Sequence, residues 1–370
     1  MSRRISKPDL ILALGFFLLS LFGIVMISSA SIVTSEERFG TNYYYASHQL
    51  TSLIIGLVLM VVAYFIDYRY WKKISLTLFL GTLVLLIAVF IPGIGKEFGG
   101  AHRWLGVGGL IFQPSEIVKL TFIIYLASWL SNRQDKITHF SLGFLPFAFL
   151  MIVLGFLIMS QPDLGTLSVI LGTAVVTFFV AGARGTHLAI GGVSLLVLIG
   201  VLIKIAPYRL QRFLVFLDPS QQTLGAAYHI NQALIAVGSG GLWGLGFGQS
   251  KQKYLYLPQA YSDSIFAIIA EELGFVRSLL ILSCFVFLAI RGLKIARNAP
   301  DNFARFLVTG IITWIIIQAF INIAAMLGLI PLTGVPLPFI SFGGSSLIVT
   351  LVAVGIILNI SKYSNQNVRI

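Results

Sequence analysis

Cysteine is all but missing from this chain. Cys284 is the one cysteine among 370 residues and lies inside an apolar run, which excludes a disulfide framework and a cysteine-based zinc site. Charge is scarce as well. Asp, Glu, Lys and Arg make up 10% of the residues, against about 25% in an ordinary globular domain. The five histidines (48, 102, 139, 187 and 229) are scattered without the spacing of a metal motif. What the chain has instead is apolar surface. Hydrophobic residues reach 57% and mean hydropathy is +0.94, more than a water-soluble core of this size can hide. The same excess excludes disorder. Basic residues outnumber acidic ones 25 to 13, a net charge of +12. In so apolar a chain, basic loops beside anionic lipid explain that balance better than a nucleic-acid partner. The composition is that of a polytopic membrane protein.

A helix that crosses the hydrocarbon needs about 20 mostly apolar residues. The sequence therefore predicts an all-α membrane fold of about ten transmembrane helices. They run over 10–32, 48–66, 74–92, 114–130, 141–160, 164–182, 187–206, 264–290, 304–329 and 343–361. Residues 1–370 read as a single membrane domain, with a long extracytoplasmic loop over 207–262 between the seventh and eighth spans. The first apolar run is too long for a signal-peptide core and reads as a retained span. An inward N-terminus puts Arg3, Arg4, Lys7, Arg69, Lys72, Lys73, Arg133, Lys136, Arg291, Lys294 and Arg297 in the cytoplasm. The short outer loops then hold Arg38, Lys96 and Arg103, and both termini are cytoplasmic. This topology gathers most of the Gly-rich and Pro-rich loops on the outer side. Chemistry is expected there.

Ionisable groups inside a span cost about 2.5–3.5 kcal/mol each. Gln113-Pro-Ser-Glu-Ile-Val-Lys119 carries two of them, Glu116 and Lys119, on one face of the fourth span. They form either a structural ion pair or the border of a polar cavity open to the outside. Ser160-Gln-Pro-Asp-Leu-Gly-Thr166 is a tight outer turn in which Asp163 suits a helix cap, while Gln161 is free to face a ligand. Asp263 opens the eighth span. From there to Ile290 is 28 residues, about 42 Å of continuous helix, so either Asp263 projects beyond the hydrocarbon or the helix breaks near Glu271-Glu-Leu-Gly274. Glu271 and Glu272 are expected to pair with Arg277 or to solvate that break. The glycine-rich run from Gly238 to Gly248 lacks GxxxxGK[ST] and a preceding strand, so it is no P-loop. Interfacial helices anchored by Tyr, Trp and Lys account for this region; alternatively Arg103, Arg209, Arg212, Lys251 and Lys253 suit an anionic headgroup.

These segments resemble the SEDS family of bacterial membrane proteins over nearly the whole chain. The resemblance rests on Gly100-Ala-His-Arg-Trp-Leu105, Phe112-Gln-Pro-Ser-Glu-Ile-Val-Lys119 and Gln161-Pro-Asp-Leu-Gly-Thr166. It rests equally on Lys251–Leu257, on Ser262-Asp263 with Ala270-Glu-Glu-Leu-Gly274, and on Pro336-Leu-Pro-Phe-Ile-Ser-Phe-Gly-Gly-Ser-Ser346. Ile27-Ser-Ser-Ala-Ser31 and Gln252-Lys-Tyr-Leu-Tyr-Leu-Pro258 look more like the division and sporulation branches than the elongation branch. The chain departs from the family at Leu257-Pro-Gln-Ala-Tyr261, where a Glu and a His are usual, at Ser264, where Phe is usual, and at Arg277, where a small residue is usual.

The resemblance implies a peptidoglycan glycosyltransferase that polymerises lipid II on the outer face of the cytoplasmic membrane, at the division septum. It implies a class B penicillin-binding protein transpeptidase and other division proteins as partners. Asp263 corresponds to the family's catalytic aspartate. The expected substrate-binding residues are Arg103, Gln113, Ser115, Glu116, Lys119, Gln161, Asp163, Arg212, Lys251, Lys253, Ser341 and Ser345. In such a reaction a sugar hydroxyl attacks an anomeric carbon, and a positioned carboxylate takes its proton. Partial burial beside lipid raises a carboxylate's pKa toward that use. The leaving pyrophosphate needs Arg or Lys, or a divalent cation (Mg or Mn), to offset its charge. Two other functions remain open at this stage, a lipid II flippase with Glu116 and Lys119 along its path, and a non-catalytic division scaffold.

Overall fold

Carboxylates start four of the long helices. Asp9 accepts from the N–H of Leu12, Asp67 from Arg69, Asp163 from Thr166 and Asp301 from Ala304. The helices are α1 (Leu10–Ala30), α2 (Ile32–Phe39), α3 (Tyr44–Phe65), α4 (Tyr68–Ala88), α5 (Pro114–Ser131), α6 (Leu145–Ser160), α7 (Leu164–Val180), α8 (Ala226–Ser239), α9 (Ile265–Arg297), α10 (Asn302–Met326) and α11 (Gly344–Ser361). Between α4 and α5 lie three strands, β1 (Gly95–Phe98), β2 (Ala101–Val107) and β3 (Leu110–Phe112). The computed structural model describes residues 7–98, 101–107, 110–193, 200, 210, 213–216 and 225–364.

Seven helices among the described residues are long and apolar enough to cross a bilayer. They form two shells. About 72% of the apolar stretch is buried in α10 and α11, against 22% in α3 and α4. α5 joins the inner shell, with 14 of its 18 residues buried. The outer shell shows Val58, Phe65, Val84, Phe149, Phe156 and Leu280 outward, an apolar belt that only lipid can cover. Expected spans other than 187–206 coincide with helices; that one lies largely outside the described residues.

The structure differs from the expectation in two places and decides between alternatives in a third. Within a fold expected to be all-α, the outer loop before α5 holds an antiparallel sheet in the order β1-β2-β3, pairing Lys96 with Trp104 and Leu105 with Phe112. α4 starts at Tyr68 rather than near residue 74, because Asp67 caps a polar first turn. α9 takes the second of its two alternatives and breaks at Gly274, whose φ of 78° and ψ of 179° are non-helical.

That break is built in. A Cβ on Gly274 would stand 2.2 Å from the Gly244 nitrogen and 2.7 Å from the Leu242 oxygen, both backbone atoms that cannot move aside. Gly274→Ala therefore combines backbone strain of about 1–3 kcal/mol with overpacking of about 1–3 kcal/mol. Thermal unfolding in detergent should show a clear loss of stability, and an unchanged midpoint would contradict this packing.

Contacts define the two ends of the bundle. At one end Arg291 bonds Asp9 at 2.7 Å, the Asp9 N–H reaches Ser361, and Tyr68 bonds Asp301 at 2.6 Å. The opposite end holds the α9 N-terminus, the sheet and the loop between α10 and α11.

Candidate active site

Asp263 precedes the first turn of α9 and is half-buried. Its backbone carbonyl accepts from Asn322 Nδ2 at 2.7 Å, and the carbonyl of Ser262 accepts from Ser341 Oγ at 2.7 Å. The 331–343 loop arches beside it. Gly334, with φ of 69°, comes so close that an added Cβ would stand 3.5 Å from Asp263 Oδ2. Glycine thus supplies the turn and leaves the carboxylate uncrowded. Gln49 pins the same loop, donating to the Ser341 carbonyl and accepting from the Gly343 N–H, each at 3.1 Å. Tyr261 stacks on Tyr45 with ring centres 4.1 Å apart and donates to its hydroxyl. Burial, and then that hydrogen bond, push the Tyr261 phenol well above the ordinary tyrosine range, so it stays neutral.

A polar ladder on α10 supports this loop from below. Trp314, Gln318 and Asn322 recur every four residues and so share one helical face. Asn322 Nδ2 also donates to the Val335 carbonyl at 2.7 Å, and Gln318 Nε2 to the Pro336 carbonyl at 2.9 Å. Gln318 Oε1 accepts from Trp314 and from Lys119 Nζ. Lys119 in turn pairs with Glu116 at 2.7 Å, both side chains at most 4% exposed. The ion pair is thus closed by protein groups and joined to the Asp263 loop through one amide. Of the two readings of Glu116 and Lys119, the geometry favours the structural one.

Arg103 projects from β2 onto the turn between α6 and α7. Its Nε donates to the Gln161 carbonyl at 2.9 Å and its Nη2 to the Pro162 carbonyl at 2.6 Å. No carboxylate pairs with it among the described residues, so its charge is uncompensated locally. Both oxygens of Asp163 are taken by Thr166, at 3.0 and 2.8 Å, as its capping role requires. Gln161 donates to the Leu86 carbonyl, while its Oε1 is buried without a hydrogen-bond partner among the described residues. The same holds for Ser115 Oγ and Thr333 Oγ1. The turn continues into Gly165, where an added Cβ would meet the Thr333 oxygen at 2.6 Å. Arg103, Gln161 and the Asp263 loop are therefore contiguous. The Gln113 N–H donates to Ser345 Oγ at 3.2 Å, tying α5 to the start of α11.

The glycine-rich run serves the break in α9. After α8 ends, the N–H groups of Leu245 and Gly246 bond the carbonyls of Glu271 and Glu272 beside the break, each at 3.0 Å. Glu271 accepts from Ser250 Oγ and the Lys251 N–H; Glu272 accepts from Ser29 Oγ at 2.8 Å and pairs with Lys253 at 3.1 Å. This corrects one expectation and decides between the two alternatives of another. Lys253 is 4% exposed and serves as the internal counter-ion of a buried carboxylate, instead of facing a headgroup. Arg277 bonds the Trp243 carbonyl, so of the two roles expected for Glu271 and Glu272 it is the break in α9 that they serve. The Lys251 side chain is exposed at this end, and Arg212, like Arg209, lies outside the described residues.

Several contributors had no sequence motif. The Trp314–Gln318–Asn322 ladder was detectable as amides spaced by four in an apolar helix. Gln49 and Tyr45 carried no such signal. Among the described residues, four that are not glycine adopt positive φ, Pro162, Leu255, Gln259 and Phe339, in this end's loops. Strain of this kind concentrates where a structure holds functional groups.

A half-buried carboxylate at the end of an apolar helical bundle, beside a loop whose buried Thr333 Oγ1 has no hydrogen-bond partner among the described residues, defines a candidate site on a membrane bundle rather than a soluble pocket. The family follows from comparison. The FtsW/RodA/SpoVE model, described as cell cycle protein, matches residues 9–366, and the chain belongs to that family. It is 44% identical over 365 residues to stage V sporulation protein E of Bacillus subtilis (strain 168), covering 98% of this chain and 100% of that one. It is 40% identical over 361 residues to the probable peptidoglycan glycosyltransferase FtsW of Geobacter sp. (strain M18), covering 97% and 98%. A chain from a structure titled for coordination of polymerization and crosslinking by a peptidoglycan synthase complex superposes with a TM-score of 0.81 at 28% identity, covering 97% and 99%. The rod shape determining protein RodA of Thermus thermophilus gives a TM-score of 0.72 at 27% identity, covering 97% and 98%.

Proposed function

We propose that this chain is a peptidoglycan glycosyltransferase that polymerises lipid II at the outer face of the bacterial cytoplasmic membrane during cell division. Asp263 is its general base. The observation that carries the reading is the half-buried Asp263 carboxylate beside the Gly334 turn, on the same end as Arg103. The excess of Lys and Arg in the loops of the other end supports an outward orientation for this one and cytoplasmic termini. The named relatives support the chemistry, and the matched synthase complex supports a crosslinking partner, a class B penicillin-binding protein transpeptidase.

The step has simple requirements. An acceptor sugar hydroxyl forms a bond to the anomeric carbon of a lipid-linked donor. The bond from that carbon to the pyrophosphate oxygen breaks, and the hydroxyl proton passes to Asp263. Arg103 offers positive charge to the departing pyrophosphate, with Lys251 and Arg212 as further candidates. Gln113, Ser115, Gln161, Ser341 and Ser345 line or brace the surrounding loops. Among the described residues no three His, Cys, Asp or Glu side chains cluster as a metal cage. A divalent cation, Mg or Mn, would be held chiefly by the pyrophosphate itself. The closed Glu116–Lys119 pair speaks against a flippase path.

The test is direct. The purified chain, with its transpeptidase supplied, should convert lipid II into glycan strands resolved on a gel. Absence of product alongside an active partner would remove the proposal. Transfer of labelled lipid II across vesicles without polymer would favour the flippase.

A further inference from the structure

We propose that His229 is a positioning residue for Asp263, acting through the hydroxyl of Ser264; this rests on the glycosyltransferase reading above. His229 lies in the first turn of α8, and its Nε2 stands 2.6 Å from Ser264 Oγ. Ser264 Oγ also donates to the Pro258 carbonyl at 2.9 Å. A hydroxyl has a single proton to give. With that proton on Pro258, His229 Nε2 must be the donor to Oγ. The imidazole keeps an N–H on Nε2 both in that neutral tautomer and when protonated, so the contact survives either state.

Ser264 occupies the N-cap of α9, where serine ordinarily bonds the helix's own free N–H groups. Here its side chain makes no such cap. The hydroxyl is fully buried and turned sideways, onto α8 and the Pro258 strand of the loop. Residues 262–264 are consequently held from three directions, by Ser341 of the 331–343 loop, by Asn322 of α10 and by His229 of α8. The first two grip the backbone of Ser262 and Asp263. His229 governs the residue that follows, and so the direction in which the Asp263 Cα–Cβ bond points. The N–H groups of Ser262 and Ser264 both end on the Gln259 carbonyl, and Gln259 itself sits at a φ of 51°. Such a turn needs outside support to keep one geometry.

A misplacement of about 1 Å in a catalytic group can cost up to about a hundredfold. His229→Ala is therefore expected to lower kcat for lipid II polymerisation about tenfold while KM stays within about twofold. Ser264→Ala should do the same, and the double variant should be no worse than either single, since both remove one link. His229→Gln, whose Nε2 can donate over a similar reach, should recover most of the loss. Wild-type kcat in His229→Ala, multiplying losses, or a Gln variant no better than Ala would each overturn the proposal. Deuterium exchange of the 259–268 amides in detergent reads the clamp without turnover. Faster exchange in His229→Ala is expected, and unchanged exchange overturns it even if no polymer forms. Asp263→Asn assayed in parallel separates the outcomes, because near-normal activity there refutes the general base and leaves the exchange result standing.

Discussion

Asp263→Asn is expected to bind lipid II about as well as the wild type and to polymerise it at least about a thousandfold more slowly. The two side chains have nearly the same shape. Among the contacts of the described residues, its backbone carbonyl to Asn322 and the carbonyl of Ser262 to Ser341 hold this segment, and neither depends on the carboxylate. The Gly334 turn, close enough that an added Cβ would lie 3.5 Å from Oδ2, fits an amide as easily. Fold and binding should thus survive while the proton acceptor is lost. An amide cannot take a proton from the attacking hydroxyl, and general-base catalysis typically supplies about 10²–10⁴-fold. Single-turnover polymerisation alongside lipid II binding separates the two effects. Product at a tenth of the wild-type rate or more would take Asp263 out of the chemistry.

Much of this site was legible before the fold was known, for a physical reason. Helices that cross lipid must be apolar along their whole length, so the spans announce themselves as runs and Asp263 stands out at the edge of one. Asp163 was readable as a cap because capping is local. What was hidden depends on partners distant in the chain. Ser29 meets Glu272 across 243 positions, and Gln49 meets Ser341 across 292. No local pattern encodes such pairs. Lys253 was misjudged for that reason, since its basic, loop-like setting gave no sign of the buried glutamate that claims it. The small sheet was hidden for a different one. Its strands are short and its glycine pairs look the same in an irregular loop.

The buried ion pair offers the second large effect. Lys119→Met should destabilise the protein by about 3–5 kcal/mol, because it strands a buried Glu116 carboxylate without its counter-charge. Glu116→Gln should be damaging as well, although Gln318 Oε1, 2.9 Å from Lys119 Nζ, still receives the ammonium. Replacing both at once, Glu116→Leu with Lys119→Met, removes two desolvated charges together and should recover most of the stability. Activity is expected to follow a different pattern. Gln318 carries the Pro336 carbonyl on its other end, so loss of Lys119 leaves Trp314 as the one remaining donor to its oxygen and loosens the loop beside Asp263. The double variant should therefore unfold near the wild-type temperature yet polymerise more slowly. If stability and turnover recover in step, the pair only holds helices together; if turnover stays low while stability returns, the ladder through Gln318 transmits position to the carboxylate.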